Sequence, residues 1–259
     1  MSKYGKWLLA AFIALPQILH AECSKLQVSG NAEYPPYLWR SDENSRLLVG
    51  AVSLLVDRMA KETGIQMQVE FIGPWGRAQE EIAAGRVDIL AGAFRTTART
   101  ERMDYLYPPF LLTRTSVWVN QRKSFEFNGL VDLKGRQGVT VTNNSFGQEF
   151  DDYARDNLKI YQVGTLEQGF RMLEDQRVDY VVYEDAPGKA YATRLKTENI
   201  TTLERPVSGE YLYFTMSKLS ACNKPEVRDK IEAVLKRATE EGWMDGYLKI
   251  AEQMWIDRK

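Results

Sequence analysis

The chain has 259 residues, 44% of them hydrophobic and 27% charged, with 34 basic against 35 acidic side chains and a formal net charge of −1. No basic stripe marks it for nucleic acid, and its single histidine, His20, falls within the first 21 residues. The rest therefore lacks a histidine base, a Ser-His-Asp triad and any His-ligated metal site, and no Gly-x-x-x-x-Gly-Lys-Ser/Thr loop is present to hydrolyse a nucleotide.

Residues 1–21 place Lys3 and Lys6 ahead of an apolar run that is broken by Pro16 and closed by the small Ala21. That is the layout of a secretory signal peptide, with cleavage expected after Ala21. Its apolar core, residues 7–15, is too short for a bilayer, and no later segment reaches the ~20 apolar residues of a transmembrane helix. An exported, periplasmic protein is expected. An acylated Cys23 is the alternative, but Glu22 stands where a lipoprotein signal wants a small residue. Loss of the leader removes two lysines and no acid, leaving a net charge of about −3. Two cysteines then remain, Cys23 and Cys222. In an oxidising compartment they are expected to pair, tying the first strand to the C-terminal segment and closing a loop worth about 5 kcal/mol on a chain-entropy basis.

Past the leader, strand-like and helical runs alternate, which predicts an α/β architecture. Residues 26–30 read as a strand, 49–64 as an amphipathic helix ending at Gly64, and 67–72 as the next strand. Residues 74–85 form a helix with proline near its start and glycine at its end, and 89–93 a buried strand. A second set follows Asn120: strand 139–142, helix 147–157, strand 160–163, helix 166–176, strand 180–183. The two sets rhyme, since Gly85-Arg86-Val87-Asp88 and Gln176-Arg177-Val178-Asp179 each close a helix and open a strand. Extended runs at 115–119 and 211–216 cross between the sets as a hinge. Helices at 225–238 and 242–255 return the chain to the first lobe. The expected division is lobe I over 22–117 and 214–259, and lobe II over 118–213.

The most informative stretch is 88–110, DILAGAFRTTARTERMDYLYPPF. Gly92 permits a close backbone approach at the end of the strand. Thr96 or Thr97 can bond nearby backbone in the turn that follows, and Arg99 presents a planar fork suited to a carboxylate. Asp88, Gly92, Thr96, Arg99 and Pro109-Phe110 resemble the pattern of the solute-binding proteins that serve polar amino-acid ABC importers. The family's tyrosine turn matches Tyr34-Pro35-Pro36-Tyr37, and its strand aspartate is preceded thirteen residues earlier by an aromatic, here Trp75.

That resemblance implies the periplasmic-binding-protein type II fold, two α/β lobes joined by a two-crossing hinge, and a ligand site between them. Tyr34 and Trp75 are the implied aromatic plates, with Tyr37 structural. Gly92 and Phe94 fall where backbone meets the ligand, and Thr142-Asn143-Asn144-Ser145 stands where the family carries Gly-Thr-Thr at a helix N-terminus. The missing glycine puts the close approach of Asn143 and Asn144 in question. The acid facing a ligand ammonium is Glu184 by spacing from Asp179, or Asp185 by spacing to Pro187. The implied protein is a monomer that uses no cofactor or metal, captures an amino acid or a similar carboxylate by hinge closure, and delivers it to an ABC permease. Two other readings stand beside it. Cyclohexadienyl dehydratases look like the same fold and use a cleft glutamate for proton transfer, and a binding module could feed a membrane sensor.

Overall fold

Thirteen residues of helix packed on a parallel strand pair set the pattern for the computed structural model, which describes residues 23–258. The expected signal peptide, residues 1–21, lies outside the described residues. The first half runs β1 (Lys25–Gly30), the small strands β2 (Glu33–Tyr34), β3 (Leu38–Arg40) and β4 (Leu48–Val49), α1 (Ala51–Thr63), β5 (Gln66–Val69), α2 (Trp75–Ala83), β6 (Ile89–Ala93), α3 (Thr97–Arg102), β7 (Met103–Tyr105) and β8 (Leu111–Asn120). The second runs β9 (Gln137–Val141), α4 (Gln148–Asn157), β10 (Lys159–Val163), α5 (Leu166–Glu174), β11 (Tyr180–Glu184), α6 (Asp185–Leu195), β12 (Ile200–Ser217), α7 (Pro225–Glu240) and α8 (Trp243–Ile256).

Helix α1 forms because Ala51, Val52, Leu55, Val56 and Met59 recur at helical spacing and bury one face. It stops at Gly64, which takes φ 71° and gives its N–H to the Ala60 carbonyl, a left-handed cap that costs glycine little. Strand β1 lies parallel between β5 and β6, with Val28 facing both Val69 and Ile89. In the second half β9 lies parallel between β10 and β11. The aspartates of the two rhyming junctions do the same work: Asp88 accepts from the Gln27 N–H and Asp179 from the Gln137 N–H, each at 2.8 Å. Both are thus structural, holding the neighbouring strand in register.

Two long antiparallel strands join the halves. Strand β12 pairs with β8 from Ile200↔Asn120 to Leu212↔Leu111, and its last residues pair with β6. A single curled sheet results, ordered β10-β9-β11-β8-β12-β6-β1-β5, with β7 added beside β12. The fold is the two-lobe α/β architecture with two extended crossings. The lobe bounds expected at 117/118 and 213/214 fall inside β8 and β12.

The sequence missed some elements. Strand β12 begins eleven residues ahead of the run expected from 211, because its polar first part is held by pairing with β8 rather than by an apolar face. Helix α6 has little amphipathic signal and carries Pro187 in its first turn, where a missing N–H is tolerated. The turn expected at TTAR is a short helix, α3, capped by Thr96.

Cys23 and Cys222 are joined, with Cα atoms 5.6 Å apart across a sequence separation of 199. Replacing both by serine should cost about 2–5 kcal/mol of unfolding free energy, read as a lower urea midpoint. An unchanged midpoint would show the bond to be dispensable.

Candidate functional site

The end of β6 and the start of α3 build the centre of the site. Gly92 turns the chain at φ 91°, a conformation glycine adopts without strain. Four residues on, the Thr96 hydroxyl accepts from the Arg99 N–H at 3.4 Å and starts α3. This aims Arg99 inward, where only 8% of it stays exposed. Its Nε and Nη2 donate to Gln79 Oε1 at 3.1 and 2.9 Å, and Nη1 donates to the Phe94 carbonyl at 3.0 Å. Both partners are neutral. A guanidinium has five N–H groups, so one remains on each terminal nitrogen. The Trp75 ring centroid lies 5.5 Å from the guanidinium carbon, within cation–π range. Burial pushes the Arg99 pKa down, although a guanidinium stays charged.

Glu184 ends β11 and is 3% exposed. Its Oε1 accepts from the Tyr34 hydroxyl at 2.9 Å, while the buried Oε2 has no hydrogen-bond partner among the described residues. Burial, opposed by the Tyr34 hydrogen bond and the Arg99 charge, raises its pKa to about 7. Asp185 points elsewhere, its Oδ2 lying 3.2 Å from Arg114 Nε. The choice left open between these two acids is therefore decided by their contacts: Glu184 lines the cavity and Asp185 does not.

Tyr34, Trp75, Gly92, Phe94, Arg99, Asn144 and Glu184 surround one inner cavity of about 20 Å³. Thr96 and Asn143 instead line the broader cleft outside it, about 1350 Å³, which Trp75 and Arg99 also border. Tyr37 packs on Tyr34 with ring centroids 4.8 Å apart and stays behind the wall. Asn31, Ser145 and Leu212 also line the cavity and were not anticipated. Gln79 was missed too, although it lies one helical turn beyond Trp75. Ligand pockets of drug size hold about 300–1,000 Å³, so an amino acid could enter only as the walls part.

Contacts already bridge those walls. Besides Tyr34 to Glu184, the Thr97 N–H donates to Gln148 Oε1 at 3.2 Å, and Gln79 Nε2 to the Asn143 carbonyl at 3.4 Å. A Cβ added to Gly76 would stand 2.2 Å from Asn143 Nδ2, so the Asn143 side chain in its present position lies directly against the backbone of α2. Asn143 sits at φ 62°, in the left-handed region that asparagine tolerates. The turn differs from an open anion cradle. Asp151 accepts from the Phe146 N–H at 2.9 Å and from the Ser145 hydroxyl, so the entry to α4 is answered from within its own helix. Phe94 lines the cavity with its carbonyl already engaged, since it accepts from Tyr105 Oη at 2.8 Å as well as from Arg99.

A cleft between two α/β lobes, walled by aromatics and holding one buried cation and one buried acid, defines a two-lobe binding protein. The chain belongs to the bacterial extracellular solute-binding proteins, family 3, whose family model matches residues 26–252. A histidine kinase sensor domain with similarity to periplasmic binding proteins superposes with a TM-score of 0.74 at 19% identity, covering 90% of this chain and 96% of that one. The amino acid ABC transporter substrate-binding protein AbpA from Streptococcus pneumoniae, bound to L-arginine, gives 0.72 at 17% identity over 91% and 97%. A mutant of ArgBP from T. maritima gives 0.71 at 18% over 91% and 96%. At these identities the likeness shows the fold alone. A comparison with curated protein sequences gives no match.

The Glu184 environment has a measurable consequence. The folded chain holds this proton up to about pH 7, whereas an unfolded glutamate releases it near 4.5, so between those values the folded form binds more protons. The associated stability is fully present below pH 4.5 and is lost as pH rises through 7. Glu184→Gln removes that loss. Its stability relative to the parent should rise by up to about 3 kcal/mol across the window, measured by urea unfolding at several pH values. A pH-independent difference would refute the buried acid.

Proposed function

We propose that this protein captures a small amino acid between Arg99 and Glu184, closes its lobes over it, and presents it to an ABC permease in the periplasm after signal cleavage at Ala21. The observation that carries the reading is the complementary pair itself. Arg99 is buried with only neutral partners and keeps an N–H on each terminal nitrogen, and Glu184 brings a bare carboxyl oxygen to the same cavity. Such a pair suits the carboxylate and ammonium of a zwitterion. Tyr34 and Trp75 would flank it, excluding water and adding apolar contact. Gly92, Phe94, Thr96, Asn143 and Asn144 complete the proposed wall, the last two as part of the closing turn. Binding energy drives the closure, because the closed form alone makes both sets of contacts. The structural neighbours fit the ligand class: AbpA is bound to L-arginine, and an ancestral arginine-binding protein of similar fold is bound to arginine in one structure and glutamine in another. The protein acts as a monomer and changes nothing in its ligand.

Glu184 also supports a second reading. A buried carboxyl that titrates near 7 is what a proton-transfer catalyst needs, and it keeps a dehydratase in view.

The test begins with a thermal-shift panel of the standard L-amino acids on stripped protein, where a bound ligand at 100 times its Kd adds about 2.7 kcal/mol of stability. Arg99→Ala should then weaken binding by about 2–5 kcal/mol in calorimetry, with Arg99→Lys recovering part. Affinity should rise with pH through about 7 as Glu184 ionises, and flatten in Glu184→Gln. Undiminished affinity in Arg99→Ala would refute the clamp. Water and CO2 released from prephenate, and lost in Glu184→Gln, would replace binding with catalysis.

A further inference from the structure

Gln79 holds the Arg99 guanidinium from one side while the Phe94 carbonyl holds it from the other. The side chain lies one turn after Trp75 on α2, so ring and amide face the same neighbour. Its Oε1 takes both N–H groups of one fork, from Nε at 3.1 Å and Nη2 at 2.9 Å. Phe94, on the backbone leaving β6, takes Nη1 at 3.0 Å. A planar group pinned at three nitrogens by two elements has its direction fixed. The same amide then reaches outward, donating from Nε2 to the Asn143 carbonyl at 3.4 Å on the opposite wall.

We propose that Gln79 is the positioning residue of the arginine clamp, orienting Arg99 through its carboxamide oxygen and coupling that orientation to lobe closure through its amide N–H on Asn143. What Arg99 finally grips rests on the amino-acid reading above; the positioning itself does not. The chemistry of the side chain explains why an amide stands there. A glutamate would hold the guanidinium more strongly but would neutralise it, leaving no charge for a ligand carboxylate, and it could not donate to Asn143. An asparagine is one methylene shorter, and a leucine offers no acceptor. The neutral amide fixes direction and leaves the positive charge unspent. The two N–H groups it leaves free lie on different nitrogens, matching the two oxygens of a carboxylate.

A spectroscopic readout separates positioning from a structural role. An Nε–H that is buried and hydrogen-bonded exchanges slowly with water, so nitrogen-15 spectra of ligand-free protein should show a protected arginine Nε–H signal that disappears in Arg99→Lys. Gln79→Leu should lose that signal with unchanged far-UV circular dichroism, and Gln79→Glu should retain it. L-Arginine and L-glutamine are the binding probes. For whichever binds the parent, affinity should fall by about tenfold or more in Gln79→Leu, and it should also fall in Gln79→Glu despite the retained signal. If Gln79→Leu does not fold, Gln79→Asn makes the same comparison. A protected Nε–H signal that persists when Gln79 is Leu or Asn overturns the proposal. If neither binds the parent, the amino acid selected by the panel above replaces them as probe; if none of the panel binds, the amino-acid reading fails while the Nε–H signal still decides the role of Gln79.

Discussion

Burying the Arg99 guanidinium takes a permanent charge out of water, at a penalty of several kcal/mol even after relaxation. The hydrogen bonds that offset that cost come from neutral acceptors, Gln79 and the Phe94 carbonyl. Much of the local architecture serves this one group. Gly92 turns the strand at φ 91°, Thr96 caps the helix that carries the arginine, and α2 brings Trp75 and Gln79 against it from the side. Among the described residues no carboxylate pairs directly with the cation, which is the condition for an anionic group to bind with net gain.

The opposite wall is organised around the complementary problem. Glu184 sits at the junction of β11 and α6 with one oxygen on Tyr34 and the other without a partner. Burial favours its neutral form and the Arg99 charge favours the ionised one. Since Tyr34 and Glu184 come from different halves of the chain, their hydrogen bond closes the cleft as well as tuning the acid. The other bridging contacts, at Asn143 and Gln148, lie further out and are backbone-linked. Closure is therefore held by a few polar contacts around a small cavity, an arrangement that a bound zwitterion would strengthen from inside.

The proposed closure turns on the two strands that join the halves. Strands β8 and β12 pair along most of their length, and in two-lobe proteins of this kind a few residues in such crossings absorb the change in backbone angle while the lobe cores stay packed. The register shifts near Pro206 and between Tyr213 and Phe214 mark places where the ladder is already irregular. The C-terminal helix adds a contact away from the hinge, with Trp255 packed between Trp39 and Tyr191 and donating to the Ala190 carbonyl at 3.0 Å.

What the sequence by itself determined was local and periodic. The apolar spacing of α1, the buried runs of β6 and β11, the Gly64 stop and the glycine at the end of β6 were legible because neighbouring residues carry their own conformational preferences. The pairing of Cys23 with Cys222 was legible because the chain has only two cysteines. Tertiary structure alone decided the rest. Of the two acids, Glu184 lines the cavity while Asp185 pairs with Arg114, far away along the chain. The entry to α4 is answered by Asp151 and the Arg99 fork by Gln79, neither of which announces itself in sequence. Strand β12 exists over its polar half because β8 supplies the hydrogen bonds. Asp151 is local to the turn it caps, but in the other cases the deciding partner is distant along the chain, and a hydrogen bond between distant groups leaves no periodic trace in the residues that make it.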